Sequence, residues 1–259
     1  MSNAAGPDAD PGVMPVLPPI LASHPVAPEC DPFAHAMAGA GKAEFRAGDV
    51  VWSRAQDRLA AAIVLEPTVS PARCPEMLFL TMVAVVEALG ACVRPELALT
   101  HRWPARLLAN GGEFGRVRIC WSDALDEDGA PFWLVIGVEI QIAEAETAVE
   151  PGEIPGVTSL AGEQAGELDR GRILEAVCRH LLSWIQTWEH DGLSPVRDAW
   201  LYRAEGYRER IAVEVSHGMV EGVFLGLDGQ GNLLLKEEGP IDGTRVVMLD
   251  AALAEMETL

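Results

Sequence analysis

The stretch Glu76–Leu89 (EMLFLTMVAVVEAL) constrains the fold of this chain more than any other. At helical spacing its apolar residues cover nearly the whole circumference, so a helix here has no face to give to water and must be packed on several sides. Thr81, Glu87 and Gly90 interrupt the apolar run, which is too short to cross a bilayer. Gly90 is the expected stop, because glycine commonly follows the last helical turn. The element is therefore the centre of a soluble core, and the rest of the chain must supply the layers that bury it.

Those layers read mainly as strands. Gly48-Asp49 opens a strand at Val50-Val51-Trp52, and Leu59–Leu65 (LAAAIVL) reads as a buried one. Between them Ser53–Arg58 is a short polar connection. Arg116–Trp121 alternates, with Val117, Ile119 and Trp121 on one face and Arg116 and Arg118 on the other. After a turn at Asp126-Glu127-Asp128-Gly129, the run Phe132–Ile142 returns as its antiparallel partner. Pro25, Pro28 and Pro32 lead into a short helix, Pro32–Ala40. An acidic, glycine- and proline-rich loop from Ala143 to about Gly166 is expected to be a mobile excursion. Asp169 is the expected N-cap of a helix carrying the stripe Ile173, Val177, Leu181, Trp184, Ile185 and Trp188. Gly192 should end it, and Ser194-Pro195 should cap and restart a shorter helix. Beyond Gly206 the pattern changes to short strands at 211–215, 220–225, 233–235 and 246–249, spaced as in a small barrel. The expected organisation is a flexible tail over 1–19, a main domain over 20–206 and a small β-barrel domain over 207–259.

Composition excludes several classes of function. The net charge of −20 argues against nucleic acid and against an anionic membrane surface. The five cysteines show no paired spacing, which fits neither a disulfide framework nor a zinc site and suits the cytoplasm. The six histidines show no metal spacing either, and no metal site is assigned. The cationic residues are nearly all arginine; Lys42 and Lys236 are the two lysines. Chemistry that needs a lysine therefore has few places to come from.

The candidate site lies in Leu99–Leu108 (LTHRWPARLL). Pro104 removes a backbone donor and holds Trp103 extended. Arg102 and Arg106 flank the pair and can point into one cleft, with Arg116 on the following strand. Each arginine also has a plainer role, a surface ion pair with one of the 39 carboxylates. His101, next to Arg102, reads as a surface histidine or as one that orients a ligand, and Cys120, with no histidine near it in sequence, as an inert thiol.

With these parts in place, the chain resembles the biotin protein ligase and lipoate protein ligase family from about Pro32 to its end. His101-Arg102-Trp103-Pro104-Ala105-Arg106 is similar to the family's KWPND motif. Gly115-Arg116-Val117 is similar to its AGI strand, and Val135–Gln141 (VIGVEIQ) to its IG-x-G-x-N strand. Leu181–Tyr207, with EHDGLSP, resembles the family's last helix, and Arg208–Leu249 its SH3-like barrel. The implied fold is α+β: a class II synthetase/biotin ligase-like mixed, mainly antiparallel sheet with helices on one face, plus a small C-terminal SH3-like β-barrel. The implied site is Arg102 in the place of the family lysine, as the catalytic position. Arg54, Gln56, Arg58, Trp103, Pro104, Arg106, Gly115, Arg116, Gly137 and Gln141 are the implied ligand-binding residues.

The departures fall on the same motifs. Arg102 replaces lysine, Ala105 and Arg106 replace Asn and Asp, Arg116 replaces a glycine, and Gln141 replaces the last Asn. The family's GRGRRGR loop, which closes over the adenylate, has only Ser53–Arg58 in its place. Two functions stay open. One is an ATP- and magnesium-dependent ligase that makes an acyl adenylate from biotin, lipoate or a related acid and transfers the acyl group to a carrier-domain lysine. An ATP-free transfer through a cysteine is its variant. The other is a catalytically degenerate member that binds a small anion or a partner protein, with Arg102, Arg106 and Arg116 focusing a positive field in an acidic chain. The resemblance also allows a homodimer formed through a sheet edge.

Overall fold

A computed structural model describes residues 14–143, 156–215, 218–237 and 243–256. Seven strands form the main sheet: β1 (Ala22–Val26), β2 (Asp49–Ser53), β3 (Arg58–Leu65), β4 (Leu99–Arg102), β5 (Arg106–Ala109), β6 (Gly112–Trp121) and β7 (Leu134–Gln141). Their order is β1-β2-β3-β7-β6-β5-β4, with β1 parallel to β2 and every other pair antiparallel. Four helices accompany it: α1 (Pro32–Gly41), α2 (Glu76–Gly90), α3 (Arg170–Asp191) and α4 (Leu193–Tyr202). Residues 144–155 of the expected loop, and most of the expected tail over 1–19, lie outside the described residues. Residues 156–166 are not a mobile excursion but pack on the main sheet, with Leu160 and Ala165 buried and the Thr158 amide donating to the Glu113 carbonyl at 2.8 Å.

Helix α2 is the centre, as its composition requires. All of its residues except Glu87 and Gly90 are buried between the sheet, α3 and α4. Its three polar side chains are each satisfied, which is what burial demands of them. The Arg73 guanidinium donates to Glu76 at 2.9 and 3.0 Å, and the Trp188 indole donates to the same carboxylate. Thr81 donates to the Met77 carbonyl at 2.7 Å, and Glu87 accepts from the Trp184 indole at 2.9 Å. Gly90 closes the helix as its last residue, with Ala91 at the cap.

Two boundaries differ from expectation. Asp169 caps α3, accepting from the amides of Gly171 and Arg172, but Ser194 does not cap α4. That helix begins at Leu193, directly after Gly192, whose φ of +72° makes the break glycine tolerates best. The helices also occupy both faces of the sheet. Phe33, Ala36 and Ala40 of α1 pack on Val51, Ala62, Val64 and Val135, opposite α2 and α3. Small residues make this approach feasible: a Cβ added at Gly137 would lie 2.6 Å from the Phe33 ring.

The C-terminal part is a four-stranded antiparallel sheet of β8 (Arg210–Val215), β9 (Gly218–Leu227), β10 (Leu233–Glu237) and β11 (Gly243–Val247), in the order β11-β10-β9-β8. The strand expected to run through Leu249 stops at Val247, and α5 (Leu249–Met256) follows. Its alanines favour helix, and the Asn232 side chain accepts from the Leu249 amide at 2.9 Å. One core runs through both sheets. Trp200, fully buried, packs edge-on against Phe79 and Phe224 with centroids 5.5 and 6.4 Å away. The Trp103 indole donates to the Gly231 carbonyl at 3.0 Å. Among the described residues, no helix is long and apolar enough to cross a membrane.

Candidate functional site

The sheet face not covered by α2 and α3 carries the expected site residues, and strand register sets them in a line. Arg102 of β4 stands opposite Arg106 of β5, which stands opposite Arg116 of β6, which stands opposite Glu139 of β7. Residues 203–205, following α4, continue the line beyond β4. The His101 amide donates to the Arg203 carbonyl and the Glu205 amide to the His101 carbonyl, both at 2.8 Å. Glu205 therefore flanks Arg102 at one end of the row as Glu139 flanks Arg116 at the other.

Every arginine in the row is held by a carboxylate. Arg102 donates from Nε and Nη2 to Glu205 at 2.5 and 3.1 Å, a two-pronged match of guanidinium to carboxylate. That contact holds the Arg102 pKa above its ordinary value. Arg106 pairs with Glu113, and Arg116 with Glu139 at 2.6 Å. The expected gathering of arginines is thus real, but the expected positive field is not. Three guanidinium groups face three carboxylates, and the row has no net charge. Electrostatics explains the arrangement: like charges on adjoining strands repel at the close spacing of a sheet, and interleaved carboxylates relieve this.

Beside the row the face is filled rather than open. Arg118, one step along β6, donates to Asp31 at 3.0 Å and lies over the Phe33 ring at 4.2 Å. Phe33 in turn covers Gly137. Gly115 has a backbone reason to be glycine. It sits at an irregularity in the β5–β6 register, and a Cβ there would come within 2.3 Å of the Glu139 carbonyl oxygen. These two glycines serve packing within the chain.

Arg54 and Gln56 lie exposed on the connection between β2 and β3, which is four residues long, 54–57. Arg58 opens β3 opposite Gln141. The Arg58 guanidinium donates to the Pro28 carbonyl at 2.8 Å, and the Gln141 amide to the Ala143 carbonyl at 2.6 Å, so both side chains are spent on their own backbone. Trp103 is buried and Pro104 follows it through a cis peptide bond. Together with Arg102 and Arg106 they form one end of a groove of about 1170 Å³ that runs towards β8 and α5.

His101 corrects an expectation. It is fully buried on the opposite side of β4, stacked on Trp200, with its nitrogens 3.2 Å from the Trp200 and Met82 carbonyls. Burial lowers its pKa to about 4, the two carbonyls oppose that, and nearby Arg203 adds to it. It is a neutral core residue. Burial likewise pushes Cys74 up to about 11 and Cys178 up to about 12, so neither supplies a thiolate. Among the described residues, no three His, Cys, Asp or Glu side chains come together as metal ligands would.

Sequence reasoning missed Glu205, Glu113, Glu139 and Phe33. Glu113 had a signal: Asn110-Gly111, with φ of +50° and +87°, is a strong two-residue hairpin turn and folds Glu113 back towards Arg106. Glu205 had none, because it lies 103 residues from Arg102.

Comparison with known proteins bears on this geometry. The sequence model of the biotin/lipoate A/B protein ligase family matches residues 17–202. A biotin–[acetyl-CoA-carboxylase] ligase of Paracoccus denitrificans is 29% identical over 185 residues, covering 71% of this chain and 76% of that protein. The crystal structure of a biotin protein ligase-like protein of unknown function from Silicibacter sp. TM1040 is similar at a TM-score of 0.78 and 32% identity. It spans 93% of this chain and 98% of its own. The biotin protein ligase of Aquifex aeolicus, in complex with biotin and ATP, has a TM-score of 0.66 at 16% identity, covering 88% of this chain and 97% of that one. This last likeness is one of fold.

Proposed function

The chain belongs to the biotin/lipoate A/B protein ligase family, and from that premise we propose that it binds a small carboxylic acid, such as biotin or lipoate, without activating it with ATP. The observation that carries this reading is the Arg102 fork. It holds a carboxylate by both prongs in a half-exposed position, and that carboxylate, Glu205, comes from a separate segment of chain. A ligand carboxylate can take the place of Glu205 on the guanidinium with the same geometry, turning the Glu205 side chain out to solvent.

Activation is a different matter. The Aquifex biotin protein ligase forms a complex with biotin and ATP, but the residues present here do not fit a magnesium-bound triphosphate. Ala105 and Arg106 stand where the family motif carries Asn and Asp, so that turn offers no carboxylate to a metal. The 54–57 connection is too short to close over an adenylate and keep water from it. ATP-dependent transfer of an acyl group to a carrier lysine would need that intermediate.

A second reading, a scaffold that binds no acid, is favoured by one observation: the row is already neutralised by its own carboxylates. Calorimetric titration of the full chain with biotin, lipoic acid and non-hydrolysable adenylate analogues separates the two. The acid-binding reading expects saturable heat with an acid. It also expects Glu205→Gln to tighten that binding about tenfold, because an internal competitor is weakened. Silence from both proteins leaves the scaffold. Pyrophosphate exchange in the presence of acid and ATP would restore the ligase and overturn the proposal.

A further inference from the structure

Strand β8 is an edge strand, paired with β9 on one side alone. The 1170 Å³ groove lies against it, and the successive residues Ile211 to Val215 all line that groove. Side chains of successive strand residues point to opposite faces. A groove lined by all of them therefore follows the edge of the strand rather than one of its faces. An edge with unpaired backbone groups is a template for one more strand.

The groove also has a sign. Glu209 and Glu214 line it, and neither carboxylate has an ion-pair partner among the described residues. Arg102 and Arg106 at its far end are taken by Glu205 and Glu113. The charge left for a newcomer is negative, while Ile211, Val213 and Val215 offer apolar contact. We propose that this groove takes an extended segment of a partner protein, which adds along β8 as a fifth strand. Its apolar side chains alternate with lysine or arginine facing Glu214, and Glu209, just before β8, adds negative charge at that end of the groove. Backbone pairing supplies the affinity, and the two carboxylates supply the choice of partner by penalising neutral and acidic strands. This surface does not depend on acid binding at Arg102.

The test uses the full chain and fluorescence anisotropy with three labelled probes. They are a short peptide alternating valine with lysine, the same peptide with glutamate for lysine, and the lysine peptide N-methylated on alternate amides. The lysine peptide is expected to bind at least about tenfold more tightly than the glutamate peptide, in keeping with two exposed ion pairs, and to weaken with salt. N-methylation should cost about tenfold or more, because it blocks strand pairing. The double variant E209Q/E214Q should lose the charge preference, and Glu214→Lys should turn it towards the glutamate peptide. No saturable binding of the lysine peptide up to about 1 mM overturns the proposal. So does equal binding of the three probes, or a doubling of mass in sedimentation that the lysine peptide reverses, since the occupant is then a second copy of this chain. The deciding probe, the lysine peptide, is C-terminally amidated and carries no carboxylate, so its failure leaves the acid-binding reading standing, and the reverse also holds.

Discussion

His101 makes the stability of this protein depend on pH in a way that can be calculated and checked. In the folded chain the imidazole is fully buried and its pKa is lowered from 6.5 to about 4, first by loss of solvent. In the unfolded chain it titrates near 6.5. Between these values the unfolded state binds a proton that the folded state refuses, so stability is present in full above about pH 6.5 and is lost as pH falls towards 4. At about 1.4 kcal/mol per pH unit, the gap is worth roughly 3 kcal/mol, of which about 2 is already lost at pH 5. Many carboxylates titrate in the same range, so the measurement must be a difference. Urea unfolding of the natural chain and of His101→Phe at pH 8 and pH 5, followed by circular dichroism, isolates the one group. Phenylalanine keeps the ring on Trp200 and removes the titration. The natural chain should lose about 2 kcal/mol more than the variant between the two pH values. Equal losses, or a His101 resonance titrating near 6.5 in the folded protein, would refute the argument.

Two further outcomes follow from packing. Gly115→Ala places a Cβ within 2.3 Å of the Glu139 carbonyl oxygen, in the middle of the sheet. It should cost about 2 kcal/mol or more, read as a lower thermal midpoint with the two-state transition preserved. Trp103→Phe deletes the indole donor to the Gly231 carbonyl, one of the links between the main sheet and the C-terminal sheet. The expected cost is about 1–2 kcal/mol. Hydrogen exchange should quicken in β9 and β10 before it quickens in α2; uniform quickening would mean that the bond does not hold the small sheet in place.

The sequence made most of the layers legible because each has a local cause. The all-apolar character of α2, the alternation along β6, the Asp169 cap and the short β2–β3 connection, read as 53–58 and found as 54–57, all depend on neighbours in the chain. Placing Arg102, Arg106 and Arg116 near one another was also within reach, since a hairpin followed by a strand can bring them together. What they touch was not. The partner of Arg102 comes from beyond α4, and its position depends on residues 203–205 pairing with the edge of β4. The side of β4 on which His101 lies was misread for a related reason. Alternation says that His101 and Arg102 face opposite ways, but only the packing of α2 and α4 decides which of the two faces is dry. The helical end of the chain was missed because a short strand signal at Val246-Val247 runs directly into α5.

The neutral row has a consequence for any ligand that reaches it. Glu205 is tethered to the same chain as Arg102 and so competes with a free acid at an effective concentration of about millimolar or higher. A ligand whose only contact is its carboxylate gains one ion pair and breaks another, with little net return at a half-exposed site. On the acid-binding reading, appreciable affinity must therefore come from the remainder of the molecule, a ring or chain laid in the groove beyond Trp103 and Pro104. If the proposed acid binding holds, the arginine row orients a ligand that is selected elsewhere. A lysine at position 102 would act differently, because an ammonium lacks the planar fork that fits Glu205 by both prongs. The arginine and its internal carboxylate are thus best understood as one unit, in which Glu205 occupies the position that a bound acid would take.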